Sequence, residues 1–260
     1  MEHHERFLMS SYRVRTLPGR IAVLASGGLD SSVMMARLAD RRVEVFPVYV
    51  RTGLVWETQE MAVLRRFIKA IDKPAIRPLT VLRVPMADLA ADHWSITGKD
   101  VPAFDAAISS NYIPGRNLTL LSKAALFCAR HRIGAIAMAP LEANPFPDAR
   151  PIFFTALARA IYLGVGLRLR IETPWVGKSK AEVIKLGRGL PLELTVSCIK
   201  PRGVVHCGQC TKCAERIEGF TAAGVRDSTR YAVRQDRNGS AGTRVKWRGR
   251  GLEREPVRNR

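Results

Sequence analysis

The chain has 260 residues, of which 47% are apolar and 25% charged, with 20 Gly and 15 Pro. Those proportions suit a globular chain with a sizeable core and exclude a fibre or a wholly disordered protein, and no apolar run approaches the roughly 20 residues needed to span a bilayer. Forty-two Lys and Arg against 23 Asp and Glu give a net charge of +19, which points to anionic partners, either nucleic acid or phosphorylated ligands.

The N-terminus carries Glu2, His3, His4 and Glu5 ahead of any apolar stretch, unlike a secretion signal, so a cytoplasmic protein is expected. Residues 20–25 (RIAVLA) form an apolar run followed by two glycines, the pattern of a buried strand, and residues 31–40 repeat apolar positions at helical spacing. Residues 43–50 read as a second strand. Residues 57–71 read as an amphipathic helix with Met61, Leu64, Ile68 and Ile71 on one face. A third strand is expected at 80–84, a helix at 117–131 with Leu118, Leu121, Ala125 and Cys128 inward, strands at 135–139 and 168–171, and a helix between them at 153–163. Strands alternating with helices imply a parallel sheet covered on both faces, because a parallel pair needs a crossover. The expected fold is a doubly wound α/β domain over 20–190, preceded by an extension over 1–19. From 232 to 260 the chain holds nine basic and three acidic residues, a net +6 that leaves +13 on the rest. Rich in Gly and Arg, this tail is expected to be disordered and to offer at most a weak nucleic-acid contact.

In such sheets ligands sit beyond the carboxyl ends of the strands, so the first strand-to-helix turn matters most. Here it runs through Leu24, Ala25, Ser26, Gly27, Gly28, Leu29, Asp30, Ser31 and Ser32. Glycines allow close backbone approach, a helix N-terminus favours an anion, and serines add hydroxyl donors. Asp30 would repel a bare phosphate but suits one accompanied by Mg²⁺, which takes carboxylate oxygen. The turn has neither the Lys of a P-loop nor the third Gly of a dinucleotide fingerprint; a helix-capping turn without ligand is the plain alternative.

Four of the five cysteines, Cys198, Cys207, Cys210 and Cys213, fall within sixteen residues near the C-terminus. Thiolates at two-residue gaps suit tetrahedral Zn²⁺ in a reducing compartment, and an iron–sulfur cluster uses the same ligand set. The remaining Cys128 is expected to be buried in the core.

A loop SGGLDSS (26–32), PGRN (114–117), FPDARPIFF (146–154), TPWVGKSKAEVIKLG (173–187) and TVSCIKPRGVVHCGQCTKCAERIEGF (195–220) occur in that order. In these segments the chain resembles the 7-cyano-7-deazaguanine synthase family of the PP-loop ATP pyrophosphatases, over about 20–231. The resemblance implies that ATP adenylates 7-carboxy-7-deazaguanine, that ammonia displaces AMP to give the amide, and that a second ATP carries the amide to the nitrile. It implies phosphate binding by Ser26 to Ser32 with Asp30 near Mg²⁺, and nucleotide or substrate contacts by Arg116 and Asn117. Asp148 and Arg150 are then expected to read the base or reaction centre, and Lys180 to neutralise phosphate. A C-terminal zinc-binding lobe over 191–231 and a homodimer follow from the same resemblance. Trp94 and Trp175 are candidates for stacking on a purine-like base or for the core.

Departures fall on the acceptor side. Residues 49–57 (YVRTGLVWE) replace the family's GQR-H-like segment, 141–145 are shortened, and Ala149 stands where the family has Cys. A paralogue using the same adenylation on another acceptor, in DNA deazaguanine modification or phage defence, is therefore one alternative. A different PP-loop tRNA-modifying enzyme and a nucleic-acid-binding zinc module are the others.

Overall fold

The computed structural model describes residues 14, 16, 19–41, 43–235, 241–248 and 251–255; most of the expected extension 1–19 lies outside them. Five strands, β1 (Arg20–Leu24), β2 (Glu44–Arg51), β3 (Thr80–Arg83), β4 (Ala135–Ala137) and β5 (Arg170–Glu172), form one sheet in the order β3-β2-β1-β4-β5. All four pairings are parallel, with Leu24 level with Val48 and Ala22 level with Ile136. The order reverses between β1 and β4, which opens a crevice at their carboxyl ends.

Alternation along β1 divides the core into two layers. Val23 and Ala25 pack with Val33 and Met34 of α1 (Leu29–Ala39) and with Leu64 and Phe67 of α2 (Glu57–Ile71). Ala22 and Val48 face the other way, onto Leu121, Ala125 and Cys128 of α4 (Arg116–His131) and Phe154 of α5 (Pro151–Val165). Each fully buried Leu or Phe here contributes about 1.5–3 kcal/mol relative to exposure. A one-turn helix α3 (Trp94–Thr97), closed by Gly98 in the left-handed region, had no signal in the sequence pattern. Two further helices, α6 (Lys180–Leu186) and α7 (Thr211–Ala223), pack together against the α1 side. Among the described residues no helix is long and apolar enough to cross a membrane.

One expectation needs correction. Leu118, read as inward, is 46% exposed, because the helix starts at Arg116 and its buried stripe runs through Leu121, Ala124, Ala125 and Cys128. Among the described residues of 232–260 there are three antiparallel strands, β6 (Val233–Gln235), β7 (Ala241–Arg248) and β8 (Gly251–Glu255). The sequence of β7 alternates Thr243, Val245 and Trp247 with Arg244, Lys246 and Arg248, and the register sets Lys246 opposite Glu253 and Arg244 opposite Glu255.

Candidate active site and metal centre

The turn after β1 is held by its own hydroxyls. Ser26 Oγ and Ser31 Oγ lie 3.1 Å apart, Gly28 N donates to Ser26 Oγ, and Ser31 Oγ donates to the Gly28 carbonyl. Gly27 sits at φ +71°, and a Cβ there would come within 2.6 Å of the Glu60 carbonyl oxygen, so only glycine lets the loop lie this close to α2. Trp175 is buried and donates its indole N–H to the Asp30 carbonyl at 3.0 Å, which makes it a support of the loop from the core.

Two adjoining hollows open at the carboxyl ends of β1, β2 and β4. The smaller, about 200 Å³, is lined by Leu24, Ala25 and Ser26 of the loop, by Tyr49, Glu57 and Glu60, and by Met138 to Pro140 after β4. The larger, about 630 Å³, runs outward past Trp56, Trp94 and Tyr112 to Lys180, Lys212 and Glu215. Ser26, Gly28, Asp30, Glu60, Arg116 and Asn117 line both. Trp94 stacks on Trp56 with centroids 5.6 Å apart, so one of its faces is covered by protein.

Polar groups converge on this boundary. Asp30 Oδ2 lies 2.6 Å from Lys180 Nζ, whereas Asp30 Oδ1 is buried without a partner. Lys180 follows Ser179, whose side chain and backbone form a capping box with Glu182. Burial works against the Lys180 charge, but Asp30 and Glu215 outweigh it and hold its pKa above the usual value. Arg116 Nε is likewise buried without a partner. Asn117 is clamped by Asp148, whose Oδ2 accepts from Asn117 N at 3.1 Å and whose Oδ1 accepts from Asn117 Nδ2 at 3.2 Å. Asp148 is buried within a 3₁₀ turn (Pro147–Ala149) and its carboxylate is engaged by Asn117; Arg150 is exposed and lines neither hollow. The geometry thus gathers Ser26, Gly28, Leu29, Asp30, Ser31, Arg116, Asn117, Asp148 and Lys180 around the two hollows and leaves Gly27, Ser32 and Arg150 out of their linings.

Sequence reasoning passed over the carboxylates of α2. Glu57 Oε1 accepts from the backbone N–H of Thr52 and Gly53 at 2.5 and 3.0 Å and so ties the altered segment after β2 to the helix. Glu60 accepts from Tyr49 Oη at 2.6 Å and Trp56 Nε1 at 3.1 Å. Burial pushes its carboxyl up to about 7, against the pull of Arg116 and of the Tyr49 hydrogen bond. Acidic residues in a first helical turn also serve the helix dipole, so the pattern alone could not mark them.

The four cysteine sulfurs lie within 4.8 Å of one another, all buried. Tetrahedral zinc with bonds of about 2.3 Å would set its sulfurs about 3.8 Å apart, and Cys207 Sγ to Cys213 Sγ is 3.9 Å. Backbone N–H groups of Lys200 and Cys207 point to Cys198 Sγ, that of Gln209 to Cys207 Sγ, and that of Gly208 to Cys213 Sγ, as a thiolate cluster requires. The donor set fits a metal and leaves no open position. His206, beside Cys207, instead accepts from Ser197 N. The lobe joins the loop directly, since Val196 N donates to the Gly27 carbonyl at 2.9 Å. Arg216 of α7 is fully buried and donates to Thr195, Ser197, Thr229 and the Leu192 carbonyl.

The family model described as queuosine biosynthesis protein QueC matches residues 20–224 of this chain. A 7-cyano-7-deazaguanine synthase of Thermoplasma volcanium is 31% identical over 229 residues, covering 83% of this chain and 92% of that protein. One of Anaeromyxobacter dehalogenans is 33% identical over 227 residues, covering 82% of this chain and 96% of that protein.

Proposed function

The chain belongs to the QueC family of queuosine biosynthesis proteins, and from that premise we propose that it is a ligase converting 7-carboxy-7-deazaguanine and ammonia to 7-cyano-7-deazaguanine, with ATP cleaved to AMP and pyrophosphate. The observation that carries this reading is the placing of Asp30, with one buried unpartnered oxygen, between a serine-lined turn and Lys180 at the floor of two joined hollows. Neither a carboxylate nor an amide oxygen is a leaving group, and adenylation makes each one so. The turn and the N-terminus of α1 hold the phosphates through backbone N–H groups and the Ser26 and Ser31 hydroxyls. Mg²⁺, bound through Asp30, would supply charge neutralisation at the phosphates. Lys180 offers a second positive charge beside them, and Arg116 a third at the junction of the hollows. Asp148 acts by fixing Asn117 at the start of α4. The nucleotide occupies the smaller hollow against β1, β2 and β4, and the deazapurine the larger one beside Tyr112 and Trp94. Zn²⁺ at the four cysteines has a structural role, holding Val196 against the loop.

The test is to incubate the purified protein with ATP, Mg²⁺, ammonium and 7-carboxy-7-deazaguanine and to weigh the products. AMP with a nitrile product is expected. AMP formation that needs a different amine would transfer the reading to a paralogue with another acceptor, in keeping with the altered residues 49–57, and no AMP with any acceptor would overturn it.

A further inference from the structure

Glu215 lies on α7 two residues beyond Cys213, outside the phosphate turn. Its Oε1 stands 2.8 Å from Lys180 Nζ, and its Oε2 is paired with Lys212. Lys180 is therefore an ammonium shared between two carboxylates, Glu215 on one side and Asp30 at 2.6 Å on the other. Its stem is confined as well. Gly219, one turn further along α7, lies so close that a Cβ there would come within 2.3 Å of Lys180 Cγ. The helix that begins at the cysteine cluster thus fixes Lys180 both sterically and electrostatically.

A divalent cation taking the free Asp30 Oδ1 would draw on the same carboxylate charge that holds the Lys180 ammonium at Oδ2, and so loosen that ion pair. If Asp30 were the only partner of Lys180, a cation arriving there would strand a buried ammonium, which a poorly solvated site penalises heavily. With Glu215 in place the ammonium keeps one carboxylate when it yields the other, and its remaining N–H groups are free for a phosphate oxygen. Lys212 opposes this by drawing on the second oxygen of Glu215. We infer that Glu215 is a positioning residue that sets how readily Lys180 gives up Asp30, so that the cysteine-bearing helix tunes the Mg²⁺ requirement of the phosphate site. The inference rests on the ATP reading proposed above.

The experiment titrates Mg²⁺ against the full-length, zinc-loaded protein at a fixed concentration of α,β-methylene ATP and reads binding by calorimetry, with zinc content and melting temperature recorded for each variant. Glu215→Gln is expected to raise the half-saturating Mg²⁺ concentration about tenfold, the size of one charge-assisted hydrogen bond. Lys212→Met, at a partly exposed side chain, is expected to lower it severalfold. In a Lys180→Met background Glu215→Gln should change nothing, because its effect passes through Lys180. An unchanged Mg²⁺ requirement in both single variants would overturn the inference, as would an equal shift in the Lys180→Met background, which would mean that Glu215 acts on the cation through its charge alone. If Glu215→Gln loses zinc or melts early, Lys212→Met decides by itself. A wild-type protein that binds no analogue at any Mg²⁺ concentration would instead remove the ATP reading, and this inference with it.

Discussion

The turn after β1 and the four-cysteine lobe treat polar atoms in opposite ways. Around the turn, Asp30 Oδ1 and Arg116 Nε are buried without partners and border hollows of about 200 and 630 Å³. In the lobe the four sulfurs face one another, and backbone N–H groups close around them. Unpaired buried polar atoms are costly, so a fold keeps them where a ligand comes and goes and removes them where an ion stays. The contrast sets a turn with unpartnered polar atoms against a lobe whose sulfurs are enclosed. The two meet where Val196 N donates to the Gly27 carbonyl and where Lys180 stands between Asp30 and Glu215.

The most severe way to break this division is to open the closed site. Cys210→Ser is expected to release the metal and lower the melting temperature by roughly 10 °C or more, since binding energy at a structural site is folding energy. Metal analysis with thermal unfolding checks this, and a variant that loses metal but keeps its melting temperature would deny the lobe its holding role. Asp30→Asn is the converse experiment. AMP formation should fall at least about a thousandfold while metal content stays at the wild-type value, because Asp30 touches no cysteine. Next in size is Arg216→Met, at the joint between the two regions. Its four hydrogen bonds go to three hydroxyls and one carbonyl. Leaving those acceptors unsatisfied should cost about 4 kcal/mol, near 1 kcal/mol each, in denaturant unfolding. Lys at this position should rescue little, because an ammonium cannot reproduce the guanidinium fork.

The closed site was more legible in the sequence than the open one. Candidate metal ligands are named by spacing: CGQCTKC sets three cysteines at two-residue gaps, and Cys198, nine residues before Cys207, completes the set. The helix at Glu57–Ile71 and the strands β1 to β5 were likewise marked by periodicity, within two residues at their ends. What periodicity misses is partnership across long separations. Nothing local says that Asp148 clamps Asn117 thirty-one residues away, or that Lys180 reaches Asp30 across 150. Glu215 and Glu60 look like ordinary surface carboxylates of amphipathic helices until the packing half-buries the first and buries the second.

Glu60 gives the finest test of the contrast, because it tells whether the open site also stores a proton. Burial first, and Glu57 on the same helix, raise its carboxyl from 4.5 to about 7, against Arg116 on α4 and the hydrogen bonds from Tyr49 on β2 and from Trp56. A carboxyl whose folded pKa is raised keeps a proton that the unfolded chain has already lost. Stability therefore falls as pH rises between 4.5 and about 7 and is level above that window. Glu60→Gln is neutral throughout, so the decline should vanish, with a gain of at most about 3 kcal/mol at pH 8. Unfolding curves from pH 4 to pH 8 measure it. A slope that persists in Glu60→Gln would place the proton elsewhere and leave Glu60 as a carboxylate paired with Arg116, in which case the unpartnered guanidinium nitrogen is held for Glu60 rather than for a ligand.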